Sequence, residues 1–386
     1  LSKNRSILIL TAQFGEGHVQ TAQTIANQYK NRGYNRVYVC DLYGIAYPAI
    51  HSFAQTLLKK SFTKFGAPIY KMFYYGTDKL SSKGLAYFYQ HLGKKRLLEL
   101  IERYNPTTII TTFPLHAGAY LRFRLNIPIP TYTVITDYCA HPLWTHPMIE
   151  KYYVASCDVK DTLISFGVTE SRIKVTGIPI RSSFSKMEFC KKSIYQTFAL
   201  KAEKKTVTFL GGGLGLVPNI LPTLQYLLKN ETIQIAIVCG KNQPLKEKLE
   251  EMSIEMNGRF RVYGYLNNLH ELLLITDCLV TKAGAITLTE AAALKIPMVL
   301  LKPNPGQESE NTDYFKRQNA VIATRNDTEV INGIHRILFD ANVREQITSK
   351  VSQIYYSDAA DRIVSDIIAD VSRINTNIKT VRQGRM

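Results

Sequence analysis

Short β-branched runs alternate with helix-length amphipathic stretches along nearly the whole chain, and this alternation restricts the possible folds more than any other feature. Strands separated by helices cannot pair as hairpins. They pair in parallel, with helices over both faces of the sheet. The pattern predicts strands at Ser6 to Ala12, Arg36 to Cys40, Thr107 to Thr112, Pro130 to Thr136, Lys151 to Ala155 and Arg172 to Thr176. A second series is predicted at Lys205 to Leu210, Gln234 to Cys239, Phe260 to Tyr263, Cys278 to Thr281, Pro297 to Leu301 and Val321 to Thr324. Two Rossmann-like α/β domains follow, and 386 residues is long enough for two ordinary cores.

Gly177-Ile178-Pro179 stops a strand, and a polar, lysine-rich stretch leads to Lys205. The boundary is expected there, with residues 1–180 as one domain and 181–355 as the other. From Asp327 to Ile374 the pattern is helical only. A last helix, within 356–386, is expected to cross back onto the first domain and bury its apolar side there.

One segment breaks the rhythm. Residues 51–104 carry ten Lys or Arg, three acids and eleven Phe or Tyr. The whole chain has a formal charge of +17, of which residues 1–190 supply +12, so an anionic partner is expected and the first half should face it. No apolar run approaches the ~18 residues of a membrane span, and the apolar start is too short for a signal peptide. A cytoplasmic location is therefore expected. The six cysteines show no CxxC spacing, so reduced, mostly buried thiols are predicted rather than disulfides or a zinc site.

The first strand runs into Phe14-Gly15-Glu16-Gly17-His18 and then a helix. Glycines at such a turn let a ligand approach the backbone, and the helix start offers free N–H groups. His18 is placed to act as a general base, or else simply caps and packs. A second loop, Gly211-Gly212-Gly213-Leu214-Gly215, follows the first strand of the second series. Phosphate contact or a plain structural turn both fit it, but the Gly-Lys-Ser/Thr ending of a P-loop is missing.

The densest cluster is Thr281-Lys282-Ala283-Gly284-Ala285-Ile286-Thr287-Leu288-Thr289-Glu290-Ala291, followed by Pro303-Asn304-Pro305-Gly306-Gln307-Glu308-Ser309-Glu310-Asn311. Each part is a strand end, a small-residue turn and a helix start. Such turns hold a diphosphate on backbone N–H groups, and Glu290 is positioned to accept both hydroxyls of a ribose. Gln307 and Glu308 can bind sugar hydroxyls. Helix capping alone would also account for these residue types.

Taken together, LILTAQFGEGHVQTAQTI, YKMFYYGTDKL, TTFP, VITDYCAHPLWTHP, KYYVAS, KVTGIPIR, VCGKN, ITDCLVTKAGAITLTEA and KPNPGQESEN resemble the processive diacylglycerol β-glucosyltransferases of Gram-positive bacteria. More distantly they resemble plant monogalactosyldiacylglycerol synthases and MurG-type glycosyltransferases. The resemblance implies the GT-B fold, two Rossmann-like domains facing across a cleft, and inverting transfer of glucose from UDP-glucose to diacylglycerol, often repeated on the product. It implies that His18 is the catalytic base and that Asp137, His141 and Trp144 lie on the acceptor side. It places the donor on Gly17, Gly212, Gly213, Tyr265, Lys282, Gly284, Ala285, Ile286, Thr287, Glu290, Gln307 and Glu308, with the uracil near Tyr265. Close bacterial relatives read Lys-Pro-Gly-Gly where this chain has Lys282-Ala283-Gly284-Ala285, so Ala285 is expected to crowd the phosphate.

No carboxylate pair with a metal role stands out, so no metal and no cofactor beyond the UDP-sugar substrate is expected. The expected partners are the UDP-sugar, diacylglycerol and an anionic membrane surface on the inner face of the cell membrane. Leu57, Leu58, Phe62, Phe65 and Ile69 share one arc of a helical wheel while Lys59, Lys60, Lys64 and Lys71 fall mostly off it. That is an interfacial pattern, although a hairpin with solvated lysines has the same sequence signature. Transfer of galactose to diacylglycerol, or of GlcNAc to a polyprenyl-linked acceptor, remains the alternative chemistry. A sugar-nucleotide-sensing regulator is a further alternative, while a nucleic-acid-binding role lacks any recognisable motif.

Overall fold

The computed structural model describes residues 5–12, 16–42, 44, 93–125, 127–185, 190–212, 215, 221–255 and 260–383. Two compact units emerge, one formed by Leu1–Arg181 with Tyr356–Met386 and the other by Ser182–Tyr355.

The first unit holds six strands, β1 (Ser6–Thr11), β2 (Arg36–Asp41), β3 (Thr108–Thr111), β4 (Thr131–Val134), β5 (Ile149–Val154) and β6 (Ile173–Val175). They form one parallel sheet in the order β2-β1-β3-β4-β5-β6. Every residue of β1 is buried. Ile7 and Ile9 enter one core cluster and Leu8 and Leu10 another, because successive side chains leave a strand on opposite faces. A sheet covered on both faces therefore reads as a continuous apolar run rather than an alternating one.

Helix α1 (Glu16–Asn31) lays Ala22, Ile25, Ala26 and Tyr29 on the first of these faces, at helical spacing. On the opposite face pack α2 (Lys94–Tyr104), through Leu97 and Leu100, and α3 (Ala117–Leu125), through Ala117, Tyr120 and Leu121. Lys94-Lys95-Arg96 form the first turn of α2, where Lys94 lies over the Tyr120 ring at 5.3 Å and Arg96 pairs with Glu99. Helix α4 (Cys157–Ser165) follows β5, its first turn capped by Ser156.

The second unit repeats the plan with β7 (Lys205–Leu210), β8 (Ile233–Val238), β9 (Phe260–Tyr263), β10 (Cys278–Thr281), β11 (Met298–Leu300) and β12 (Val321–Ala323). Its sheet is parallel, in the order β12-β11-β10-β7-β8-β9. Between and after these strands come α5 (Lys191–Thr197), α6 (Leu221–Leu227), α7 (Gln243–Glu255), α8 (Leu269–Leu274), α9 (Ala285–Ala293), α10 (Gln307–Arg317), α11 (Asp327–Phe339) and α12 (Ala341–Ile354). All twelve predicted strands are present, with ends within two residues of those expected.

The last helix, α13 (Ala359–Gln383), belongs to the first unit. Ile363, Val364, Ile367 and Val371 join the core cluster of α1 and β1. Its acidic side is also engaged. Asp366 accepts from Lys174 Nζ at 2.7 Å, Lys151 Nζ at 3.2 Å and Tyr153 OH at 2.9 Å. Asp370 accepts from Lys151 Nζ and Tyr132 OH, both at 2.9 Å, and Arg32 bonds Asp361.

The thiols are not mostly buried, contrary to expectation: Cys40, Cys239 and Cys278 are, but Cys139 is half-buried and Cys157 and Cys190 are exposed near helix starts. The interfacial candidates Lys59, Lys60, Phe62, Lys64, Phe65 and Lys71 lie outside the described residues. Among the described residues, no helix is long and apolar enough to cross a membrane.

Candidate functional site

In each sheet the chain moves outward in one direction and then returns to start in the other, and the reversal leaves a crevice at the carboxyl ends of two adjacent strands. The order places this reversal between β1 and β3 in the first unit and between β7 and β10 in the second.

In the first unit, His18 sits in the first turn of α1, just past the end of β1. Its Nδ1 lies 2.9 Å from the carbonyl oxygen of Thr112, just beyond β3, and 2.7 Å from Thr136 Oγ1, just beyond β4. Thr112 Oγ1 in turn donates to the His18 carbonyl at 3.1 Å. A carbonyl can only accept, so the proton belongs on Nδ1 and the lone pair on Nε2. Phe113 closes on the ring edge-to-face at 5.1 Å. Burial holds the imidazole below its ordinary pKa, opposed by the negative charge of Asp137. The result is a neutral, oriented imidazole beside a buried carboxylate, the arrangement a general base needs.

The other predicted acceptor-side residues have structural roles as well. His141 Nδ1 accepts from Leu143 N at 3.1 Å and caps a single 3-10 turn, Pro142–Trp144. Trp144 is buried in a core cluster with Ile135, Ile149 and Tyr152, so its indole supports this loop from beneath. Nearby, His116 and His146 are buried with ring centroids 5.3 Å apart, and burial pushes both down to a pKa of about 4.

In the second unit the predicted donor residues collect at the carboxyl ends of β7, β9, β10 and β11. Gly212 has φ +69 with open space where a Cβ would stand, and Gly215 has φ +62 with its missing Cβ 1.7 Å from the Cys239 carbonyl oxygen. Only glycine fits this turn, which Asn242 Nδ2 closes on Gly215 O at 3.1 Å. Gly213 lies outside the described residues. Gly284, the residue before α9, is exposed with nothing within 4 Å of where a methyl would stand, while Ile286 and Thr287 are half-buried behind it. Ala285 is 5% exposed, so its methyl adds little to the surface a phosphate would meet; the expected crowding has small room to act. Glu290 is buried on the second turn of α9. Tyr265 is half-exposed two residues past β9, with Lys241 Nζ 5.6 Å from its ring centroid.

Lys282 is the charged centre of this group. Burial lowers its pKa to about 8, against the raising effect of Glu308. Glu308, with Gln307, opens α10, and its Oε2 accepts from Asn304 N at 3.1 Å. Asn311, fully buried one turn later, donates from Nδ2 to the Ala283 carbonyl at 3.1 Å and so fastens α10 to the 282–284 turn. Sequence reasoning assigned no role to Thr112, Thr136 or Asn311. The first two follow strands whose neighbours are set only by the sheet order, whereas Asn311 ends the KPNPGQESEN motif and could have been found there. Among the described residues no group of three or more His, Cys, Asp or Glu is arranged to hold a metal ion.

Two parallel six-stranded sheets, each with its own order reversal, define the GT-B class of glycosyltransferase fold. The fold is shared with the S. aureus MnaA–UDP co-structure (TM-score 0.62, 12% identity, 96% of this chain and 97% of that one). It is shared as well with Acinetobacter baumannii MurG (TM-score 0.57, 15% identity, 95% and 99%). The profile of monogalactosyldiacylglycerol (MGDG) synthase matches residues 18–180, and that of glycosyl transferases group 1 matches residues 217–353. Processive diacylglycerol beta-glucosyltransferases of Bacillus mycoides (strain KBAB4) and Bacillus cereus (strain B4264) are 38% and 39% identical over 368 residues, covering 95% of this chain and 94% of theirs. The chain belongs to the family of processive diacylglycerol beta-glucosyltransferases.

Proposed function

We propose that the protein transfers glucose from UDP-glucose to diacylglycerol, and then to the glycolipid product, with inversion at the anomeric carbon. The family's likeness across 95% of the chain carries this reading. The acceptor hydroxyl gives its proton to Nε2 of His18, its oxygen bonds to the anomeric carbon, and the bond from that carbon to the diphosphate breaks, releasing UDP. Asp137 stabilises the imidazolium so formed, because it is the nearby charge that favours the protonated ring. The N–H groups at the start of α9 and the Lys282 ammonium meet the charge that grows on the leaving diphosphate. Glu290 takes the ribose, and Gln307 and Glu308 the sugar. An acceptor that stays in the bilayer also requires the protein to bind the inner membrane surface, which the basic, aromatic segment around Lys59 to Lys71 supports by its composition.

Diacylglycerol liposomes incubated with the protein and with UDP-glucose, UDP-galactose or UDP-GlcNAc in turn, followed by identification of the glycolipids, test the reading. Mono- and di-glucosylated diacylglycerol from UDP-glucose is expected. Product from UDP-galactose alone would move the protein to the galactosyl chemistry of the MGDG synthases, whose profile matches residues 18–180.

A further inference from the structure

The two charged groups at the head of the second unit's ligand loops are coupled by construction. Lys282 follows β10 and Glu308 follows β11, and these strands are neighbours in the sheet. Residues three apart on a helix share a face. Asn311 bonds the Ala283 carbonyl, so the α10 face that carries Asn311 also carries Glu308 toward the turn that begins with Lys282. The Asn304 N–H holds one oxygen of Glu308 and fixes the carboxylate in the first turn. Glu308 is the charge that acts on Lys282 against the cost of its burial.

This pairing has a consequence for the reaction that hydroxyl binding does not have. A UDP-sugar carries its diphosphate as a diester at both ends. Once the sugar leaves, the terminal phosphate keeps only its anhydride to the inner phosphate and gains a second ionisation like that of a phosphate monoester, about 6, so spent UDP carries close to one more negative charge at neutral pH. That charge appears where the sugar had been attached, on the side of the diphosphate nearest the sugar-binding residues.

Resting on the reading that these loops bind a UDP-sugar, we infer that Glu308 sets a preference for donor over spent nucleotide: its fixed carboxylate offsets Lys282 and repels the extra charge of UDP. A carboxylate is well suited to this double task, because it accepts hydrogen bonds from the neutral sugar and opposes the anion that replaces it. For repeated transfer to one lipid, UDP must leave at every cycle, and a site whose lysine is partly offset by a fixed carboxylate releases it faster.

The test is calorimetric titration of the full chain with UDP and with UDP-glucose, for the wild type and for Glu308→Gln, Lys282→Met and the double variant. Gln keeps an acceptor for the Asn304 N–H and removes only the charge. Glu308→Gln should bind UDP about 3- to 10-fold more tightly, the range expected for one charge acting through a partly solvated site. UDP-glucose should gain less or bind more weakly, and inhibition by UDP during turnover should tighten in step. Glu308→Ala should likewise bind UDP more tightly, which keeps the test open if either variant folds poorly. The gain should shrink when Lys282 is already Met, since only the direct repulsion between the carboxylate and the phosphate then remains. If the wild type binds UDP but Glu308→Gln and Glu308→Ala bind it no better, Glu308 serves only sugar hydroxyls and the inference is overturned. Equal tightening in the Lys282→Met background would overturn the route through Lys282. A wild type that binds neither nucleotide would overturn the donor-site reading, and the inference with it.

Discussion

At the residue scale, one histidine illustrates how a fold selects a protonation state. His18 has its Nδ1 engaged by Thr112 and Thr136 and its charged form disfavoured by burial, so it is held as a neutral, oriented imidazole. Removing it should cost about 10² to 10⁴-fold in turnover while UDP still binds. Turnover within a factor of two of wild type in His18→Ala would reject the assignment. Asp137 raises the His18 pKa, so Asp137→Asn should lower it further; the acid limb of the pH–rate profile should move to lower pH while the plateau falls. Lys282 gives the opposite limb. Its pKa of about 8 means that the ammonium is lost as pH rises through 8, and the diphosphate then has to restore it. UDP binding at pH 8.5 to 9 should take up a proton, which calorimetry in buffers of different ionisation enthalpy will register; no uptake would show that Lys282 does not face the nucleotide. His18 was legible in the sequence because a glycine turn on a first strand marks the place. Its two threonine partners were not, since they lie 94 and 118 residues away and only the order β1-β3-β4 brings them near.

At the element scale, strands were read well for the same reason that one helix was read only halfway. Fully buried parallel strands are continuous apolar runs bounded by turn residues, and that signal is local. The apolar stripe of α13 is local too. Its acids are another matter: Asp361, Asp366 and Asp370 resemble a solvated helix face, yet they meet Arg32 just past α1 and Lys151, Lys174, Tyr132 and Tyr153 from the β4–β6 edge. Burial pushes the Asp366 carboxyl up, but bonds from Lys174 and Tyr153 and the charge of Lys151 leave it below the usual carboxylate range. A carboxylate depressed in the folded state contributes stability above its unfolded value near 3.8 and loses it as pH falls through the lower folded value. Docking of α13 should therefore weaken below about pH 4, and Asp366→Ala should cost about 1.5–3 kcal/mol at neutral pH, the scale of bonds to a charged group. Urea unfolding of the two proteins measures this directly, and an unchanged midpoint would show that the apolar stripe alone holds the helix. In the second unit, Gly215→Ala should cost at least about 1–3 kcal/mol, since φ +62 and a contact at 1.7 Å both oppose a methyl there. UDP affinity should fall with it.

At the scale of the whole molecule, the charge is the property that neither ligand loop explains. A formal +17 with +12 in residues 1–190 is far more than one diphosphate requires, and the excess is concentrated in the half that holds His18, Asp137 and His141. Part of it is consumed internally. Lys151 and Lys174 meet Asp366 and Asp370 of α13, and Arg32 meets Asp361, acids that all lie outside residues 1–190. The lysines at positions 59, 60, 64 and 71 stand in a stretch with only one acid between residues 51 and 92, so the sequence offers them few local partners. Each basic residue near an anionic leaflet contributes about 1 kcal/mol, and that contribution decays within a Debye length of about 8–10 Å at moderate salt. Phe62 and Phe65 lie between those lysines and would add an apolar term that salt does not screen. Two terms of different salt dependence make the docking proposal testable. Replacing Lys59, Lys60, Lys64 and Lys71 together by Gln should reduce sedimentation with anionic liposomes at low salt and make the residual binding less sensitive to added salt. Replacing Phe62 and Phe65 by Ser should weaken binding by a similar factor at low and high salt. If both variants sediment as the wild type does under both conditions, the membrane contact lies elsewhere in the chain, and the surplus charge of the first half must be sought on other residues.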